Sequence, residues 1–167
     1  RVEGKMTNIP YFSKNWDKIS EELEEDEDSI RNKFHAIRKK ILKKRNLRIA
    51  PQKDDKILTD WNGLIISALA RSGSILNNKE YTEMAKKSAL FIFDNLMKED
   101  GGLLKSYRDG NSGINGMIED YSFFIWGLIE LYQSTFDQKY IIEASKLADY
   151  QIKYFWDDDN DGFYFTA

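Results

Sequence analysis

The 167-residue chain has no cysteine, two prolines, a single histidine and no apolar run approaching the roughly 20 residues that a membrane-crossing helix needs. Each shortage removes a class of protein. Without cysteine there are no disulfides, zinc ribbons or thiol nucleophiles, and a reducing compartment is compatible with the composition. No Ser-His-Asp set is recognisable, and the single histidine, His35, lies on a polar-rich helix and reads as surface or partial core rather than as a base. Neither a P-loop nor a dinucleotide fingerprint is present, so no cofactor is expected. A net charge of −3 makes no case for nucleic acid. The chain starts at Arg1 without an initiator methionine or leader pattern and stops at Phe165-Thr166-Ala167 in a strand-like run. A piece of a longer, water-soluble cytoplasmic protein, without a membrane segment, is the expectation.

What is present is helical patterning rich in hydrophobic (41%) and aromatic (14%) residues. Residues 1–13 show no period, and Pro10 and Pro51 fall where helical spacing is absent. Trp16, Ile19 and Leu23 mark a first helix from about Lys14. Ile30, Phe34, Ile37 and Ile41 mark a second, from about Ser29 to Asn46. Acid before its start and Lys39 to Arg45 at its end suit the helix dipole, so the basic stretch Arg38 to Arg48 needs no ligand.

Beyond Pro51 a pattern occurs twice. Trp61 to about Leu76 is apolar on nearly every side, and Lys79 to about Met97 is amphipathic. Tyr121 to about Ser134 and Lys139 to about Trp156 repeat that pair. Gly63-Leu64-Ile65 aligns with Gly127-Leu128-Ile129, Tyr81 with Tyr140, and Asp100-Gly101 with Asp161-Gly162. The period is about 60 residues, longer than tetratricopeptide, HEAT or ankyrin repeats. Helices buried all round alternating with half-exposed ones imply two concentric layers, whereas a four-helix bundle makes every helix amphipathic. The fold class expected is all-α, one part of an (α/α)6 toroid of helical hairpins with short β pieces in the inter-hairpin loops. Residues 1–52 lead into the ring, and 53–167 hold two hairpins, about 61–104 and 120–167. So short an arc should expose apolar edges and self-associate.

Asp54-Asp55-Lys56-Ile57-Leu58-Thr59-Asp60-Trp61-Asn62-Gly63-Leu64-Ile65-Ile66-Ser67-Ala68-Leu69-Ala70 and Gly116-Met117-Ile118-Glu119-Asp120-Tyr121-Ser122-Phe123-Phe124 closely resemble the YyaL-like, thioredoxin-domain-containing family that includes spermatogenesis-associated protein 20. Glu3-Gly4-Lys5 and Arg45-Asn46-Leu47-Arg48-Ile49-Ala50-Pro51 fit the same family. The resemblance implies a longer parent in which a thioredoxin-like domain precedes a toroid similar to six-hairpin glycosidases and sugar 2-epimerases. It brings little chemistry with it, because fold does not fix function.

In such a toroid the loops entering the inner helices line one mouth of the cavity. That selects Asp60, Glu119 and Asp120 as candidate catalytic carboxylates, and Trp61, Asn62 and Tyr121 as candidate contacts for a sugar-like ligand. Carboxylates accept hydroxyl hydrogen bonds or act as acid and base, and rings stack on apolar sugar faces. An alternative stays open: Asp60 and Asp120 also stand where N-caps belong, and Trp61 and Tyr121 can be core. The glycine-bearing stretch Tyr107 to Gly116 reads as a flexible connection, or as a lid whose Arg108 reaches an anionic group. Asp157-Asp158-Asp159-Asn160-Asp161-Gly162 matches the opening of a calcium loop but reads better as an acidic surface turn, so no metal site is expected. The leading functional expectation is part of a carbohydrate- or polyol-type cavity. The alternative is a non-catalytic scaffold for the thioredoxin-like domain.

Overall fold

A computed structural model describes residues 11–167; the Glu3-Gly4-Lys5 match and Pro10 lie outside the described residues. The chain divides into two compact units, the first ending at Lys53 and the second spanning Asp54–Ala167.

In the first unit, α1 (Trp16–Leu23) starts where Asn15 accepts the N–H of Lys18, and α2 (Glu27–Arg45) where Asp26 accepts that of Ser29. Both are side-chain N-caps. Glu24 ends α1 in the left-handed region at φ 52°. Phe12, Trp16 and Phe34 cluster with ring centroids 4.9–5.6 Å apart, and Arg31 lies 4.4 Å above the Trp16 ring. Only the front of the expected α2 stripe is covered: Ile30 is buried, while Ile37, Ile41 and His35 are exposed.

The second unit is two helical hairpins. The inner helices are α3 (Thr59–Ile75) and α5 (Ile118–Thr135); the outer are α4 (Lys79–Asn95) and α6 (Gln138–Phe155). Asn78 and Asp137 cap the outer pair through the N–H groups of Glu80 and Lys139. Ala85, Ala89 and Ile92 of α4, and Tyr140, Ala144 and Leu147 of α6, turn inward onto Ile66, Ala70, Phe124, Leu128 and Leu131. This is the two-layer arrangement that the alternating patterns predict.

The inner helices run parallel and very close. A Cβ added at Gly127 would stand 2.7 Å from the Gly63 carbonyl oxygen, and one added at Gly63 would stand 2.6 Å from that of Phe123. The two glycines thus face each other across one interface instead of holding equivalent places in the two repeats. The displacement that carries Lys79 to Gln138 and Tyr81 to Tyr140 carries Thr59 to Ile118, so Asp60 corresponds to Glu119. Both inner helices also begin earlier than their apolar runs, with Leu58 and Met117 as N-cap residues.

The inner helices are not covered all round. Trp61, Leu64, Ile65 and Ile75 of α3 are exposed, as is Trp126 of α5, in keeping with an arc whose edges are open. Among the described residues no helix is long and apolar enough to cross a membrane.

Between the hairpins, β1 (Ile57–Leu58), β2 (Leu104–Arg108) and β3 (Asn111–Asn115) form an antiparallel sheet in the order β1-β2-β3. The stretch Tyr107 to Gly116, expected as a flexible connection, is thus mostly paired strand. Asp109 and Gly110 carry φ values of 51° and 80°, as the two-residue primed turn of a hairpin requires. The second hairpin ends in β4 (Trp156–Asp157) and β5 (Gly162–Phe163).

Candidate functional site

The short sheet delivers a lysine to the inner-helix starts. Leu104 is tied to α4 by its N–H to the Leu96 carbonyl, and its own carbonyl accepts the Thr59 hydroxyl at 2.6 Å. The Leu104 side chain packs against the core, so strand alternation aims Lys105 the other way. Its Nζ stands 3.5 Å from Asp60 Oδ2, 3.4 Å from Glu119 Oε1 and 3.4 Å from Asp120 Oδ2.

Three carboxylates around one ammonium leave excess negative charge, and the helix ends offset it. Asp120 accepts the N–H of Asp60 at 3.0 Å on Oδ1 and that of Met117 at 2.8 Å on Oδ2. Asp60 Oδ1 takes the Trp61 N–H at 2.7 Å. These are the orphan donors of the first turn, where the dipole favours anions. Asp120 therefore reaches back as the third residue of its helix, in the manner of a capping box, and at the same time braces the neighbouring helix. Its side chain is fully buried; that of Glu119 is 26% exposed.

Burial pushes the Asp120 carboxyl above its ordinary value, against the N–H of Met117 and the charge of Lys105. For Lys105, burial works to lower the pKa, but the charges of Asp120, Asp60 and Glu119 outweigh it and the ammonium is held above its ordinary value. The cluster keeps its cation.

The structure brings Asp60, Glu119 and Asp120 together. Trp61 and Asn62 follow Asp60 on α3 and line a separate groove of about 420 Å³ with Asp54, Lys56, Leu58 and Ile65, which none of the three carboxylates lines. Trp61 is 67% exposed there. Asn62 has both ends engaged: Nδ2 donates to the Leu58 carbonyl and Oδ1 accepts the Ser88 hydroxyl, joining α3 to α4. Tyr121 is not in this group. It is buried in the core, stacked 5.3 Å from Tyr150, and its hydroxyl accepts the Leu103 N–H at 2.8 Å. Arg108, on the hairpin, pairs with Asp55 at 2.8 Å.

Lys105 is the site residue that sequence reasoning missed. Within Leu103-Leu104-Lys105-Ser106-Tyr107 the charge in an apolar run was a signal, but it means little until β2 is recognised as a strand. At the acidic turn, Asp157 bends onto its own loop and accepts from the Asp159 N–H and Asn160 Nδ2. The Asn160 contact leads in holding its carboxyl below the ordinary value. Among the described residues no three potential ligands gather as a metal site would require.

No model of a known protein family matches the chain. Spermatogenesis-associated protein 20 of rat is 28% identical over 146 residues, which is 82% of this chain and 18% of the rat protein. The human protein is 28% identical over 148 residues, 83% and 19% of the two chains. The chain resembles spermatogenesis-associated protein 20. It spans about a fifth of the length of these relatives.

Among solved structures, cellobiose 2-epimerase from Bacillus thermoamylovorans superposes with a TM-score of 0.63 at 16% identity, over 68% of this chain and 30% of the epimerase. A family 76 α-mannanase from Bacteroides thetaiotaomicron gives 0.58 at 19% identity, over 71% and 33%. The fold is that of an arc of an (α/α)6 toroid.

Proposed function

We propose that the starts of α3 and α5 form part of a cavity that binds a carbohydrate or related polyol. The observation that carries this reading is the convergence of three carboxylates from two inner-helix starts on Lys105, with Glu119 the most open of the three to solvent. On this reading Glu119 meets the ligand, accepting hydroxyl hydrogen bonds or exchanging a proton. Asp60 and Asp120 position it by locking the helix ends and Lys105. Trp61 supplies an indole face for an apolar sugar surface, beside the polar rim of Asp54, Lys56 and Asn62. The sugar-acting toroids with the same fold support the ligand class by analogy. A two-carboxylate glycoside mechanism needs a second open carboxylate, which would come from other hairpins of the ring.

The test is calorimetric titration of the full-length protein with cello- and manno-disaccharides, repeated on Trp61→Ala. Binding weakened at least tenfold in the variant is expected. No binding by the wild-type protein, or identical binding by both, would contradict the reading.

Complete burial of Asp120 favours a second reading, in which this end of the arc is a structural brace within a scaffold for a thioredoxin-like domain. It predicts no sugar binding and a loss of stability alone on replacing Glu119. On either reading the protein works in the cytoplasm, and the exposed apolar edges of this arc, left alone, drive its self-association.

A further inference from the structure

Farther along the inner helices a second groove opens between them. Arg71, Ser74 and Ile75 of α3 and Glu130, Gln133 and Ser134 of α5 line about 350 Å³. The outer helices lie on other faces of α3 and α5, held there by Asn62 to Ser88 and by Gln151 to Ser122 at 2.8 Å. Trp126, Glu130 and Gln133 recur at i, i+4 and i+7, so they share one face of α5. Trp126 is half-exposed and donates its indole N–H to Glu130 Oε1 at 3.3 Å, which sets a carboxylate oxygen at the edge of a half-exposed ring.

The charges of this groove decide its ligand. Arg71 and Glu130 cancel, so an anionic ligand gains from one and is opposed by the other, while an apolar ligand would strand both. A neutral polyol satisfies the set: Arg71 donates to one hydroxyl, Glu130 accepts from another, and the indole covers an apolar ring face. Glu119 and Glu130 lie on the same helix about 16 Å apart at 1.5 Å per residue. A ligand touching both is extended, an oligosaccharide and not a single sugar.

We propose that the groove lined by Arg71 and Glu130, with Trp126 bonded to Glu130 beside it, is a second subsite, binding a neutral glycosyl unit of an oligosaccharide whose other end lies at Glu119. This rests on the sugar-cavity reading above. The experiment is calorimetry of the full-length protein with cello- and manno-series di- and tetrasaccharides and with methyl β-glucuronide, using the wild-type protein and Arg71→Met, Trp126→Ala and Glu119→Gln variants.

The wild-type protein is expected to bind a tetrasaccharide at least tenfold more tightly than its disaccharide and to bind the glucuronide least. Arg71→Met and Trp126→Ala should erase the tetrasaccharide advantage without lowering the melting temperature by more than a few degrees, since both side chains are exposed. Unchanged tetrasaccharide binding in both, with Glu119→Gln still weakening it, would overturn the second subsite and leave the cavity standing. Preference for the glucuronide would overturn the neutral-ligand assignment. A wild-type protein that binds no sugar at all would overturn both.

Discussion

The carboxylate of Asp120 accepts the backbone N–H of Asp60 at 3.0 Å, so that one buried side chain, also bonded to the N–H of Met117, closes the ends of two neighbouring helices. Replacing it with alanine strands one buried backbone donor, that of Asp60, and one half-buried donor, that of Met117, and removes a counter-charge from Lys105. Each buried donor left unmade costs about 1–3 kcal/mol. Asp120→Ala is therefore expected to destabilise the protein by about 3 kcal/mol in urea titration, more than loss of an ordinary cap. Asp120→Asn, which keeps one carbonyl acceptor, should lose about half as much.

The close approach of the inner helices makes a second prediction. Alanine favours a helix over glycine by about 1 kcal/mol. At Gly63 the added methyl would meet the Phe123 backbone, and at Gly127 the Gly63 carbonyl, neither of which can swing aside. Gly63→Ala and Gly127→Ala should each lower stability by about 2–4 kcal/mol in thermal or urea unfolding, despite their better propensity.

A third prediction concerns pH. The folded-state pKa of Lys105 is raised above its ordinary 10.5 by Asp120, Asp60 and Glu119. Folding thus favours its proton, and the stabilisation is complete below pH 10.5 and lost as pH climbs through the raised value. Wild-type stability measured from pH 9 to 12 should fall more steeply above pH 10.5 than that of Lys105→Met. Parallel curves for the two would deny that the ammonium is held by the cluster.

Much of this architecture was legible in the sequence because it depends on periodicity. The alternation of all-apolar and amphipathic helices, and the pairing of Tyr81 with Tyr140, required only a count of apolar positions. The site was less legible. Asp60, Glu119 and Asp120 were singled out by their place at the starts of the inner helices. That Asp120 bonds outward to a second helix did not follow, because a cross-helix bond depends on how closely Gly63 and Gly127 let the backbones approach. Tyr121 stood beside the carboxylates in sequence, yet helical rotation turns it into the core. The hairpin signal Asp109-Gly110 was present but was read for flexibility instead of for its primed turn. Lys105 became meaningful only once that hairpin made a strand of its surroundings.

Tyr121 and Trp61 provide a paired prediction. Tyr121→Phe removes the acceptor of the buried Leu103 N–H and should cost about 1–2 kcal/mol of stability while leaving ligand affinity unchanged. Trp61→Ala should do the reverse, because its ring is exposed and little packing is lost. Melting temperature and calorimetric affinity measured on both variants check the pair.

The division of labour within the carboxylate cluster is the centre of this account, and one side-by-side measurement addresses it. Glu119→Gln and Asp120→Asn are prepared in the full-length protein, and each is assayed for oligosaccharide affinity by calorimetry and for melting temperature. Glu119→Gln is predicted to lose at least tenfold in affinity with a melting temperature within about 2 °C of wild type. Asp120→Asn is predicted to melt several degrees lower, in line with the roughly 2–4 °C per kcal/mol typical of domains of 150–250 residues. Unaltered affinity in Glu119→Gln, or wild-type stability in Asp120→Asn, would contradict the assignment.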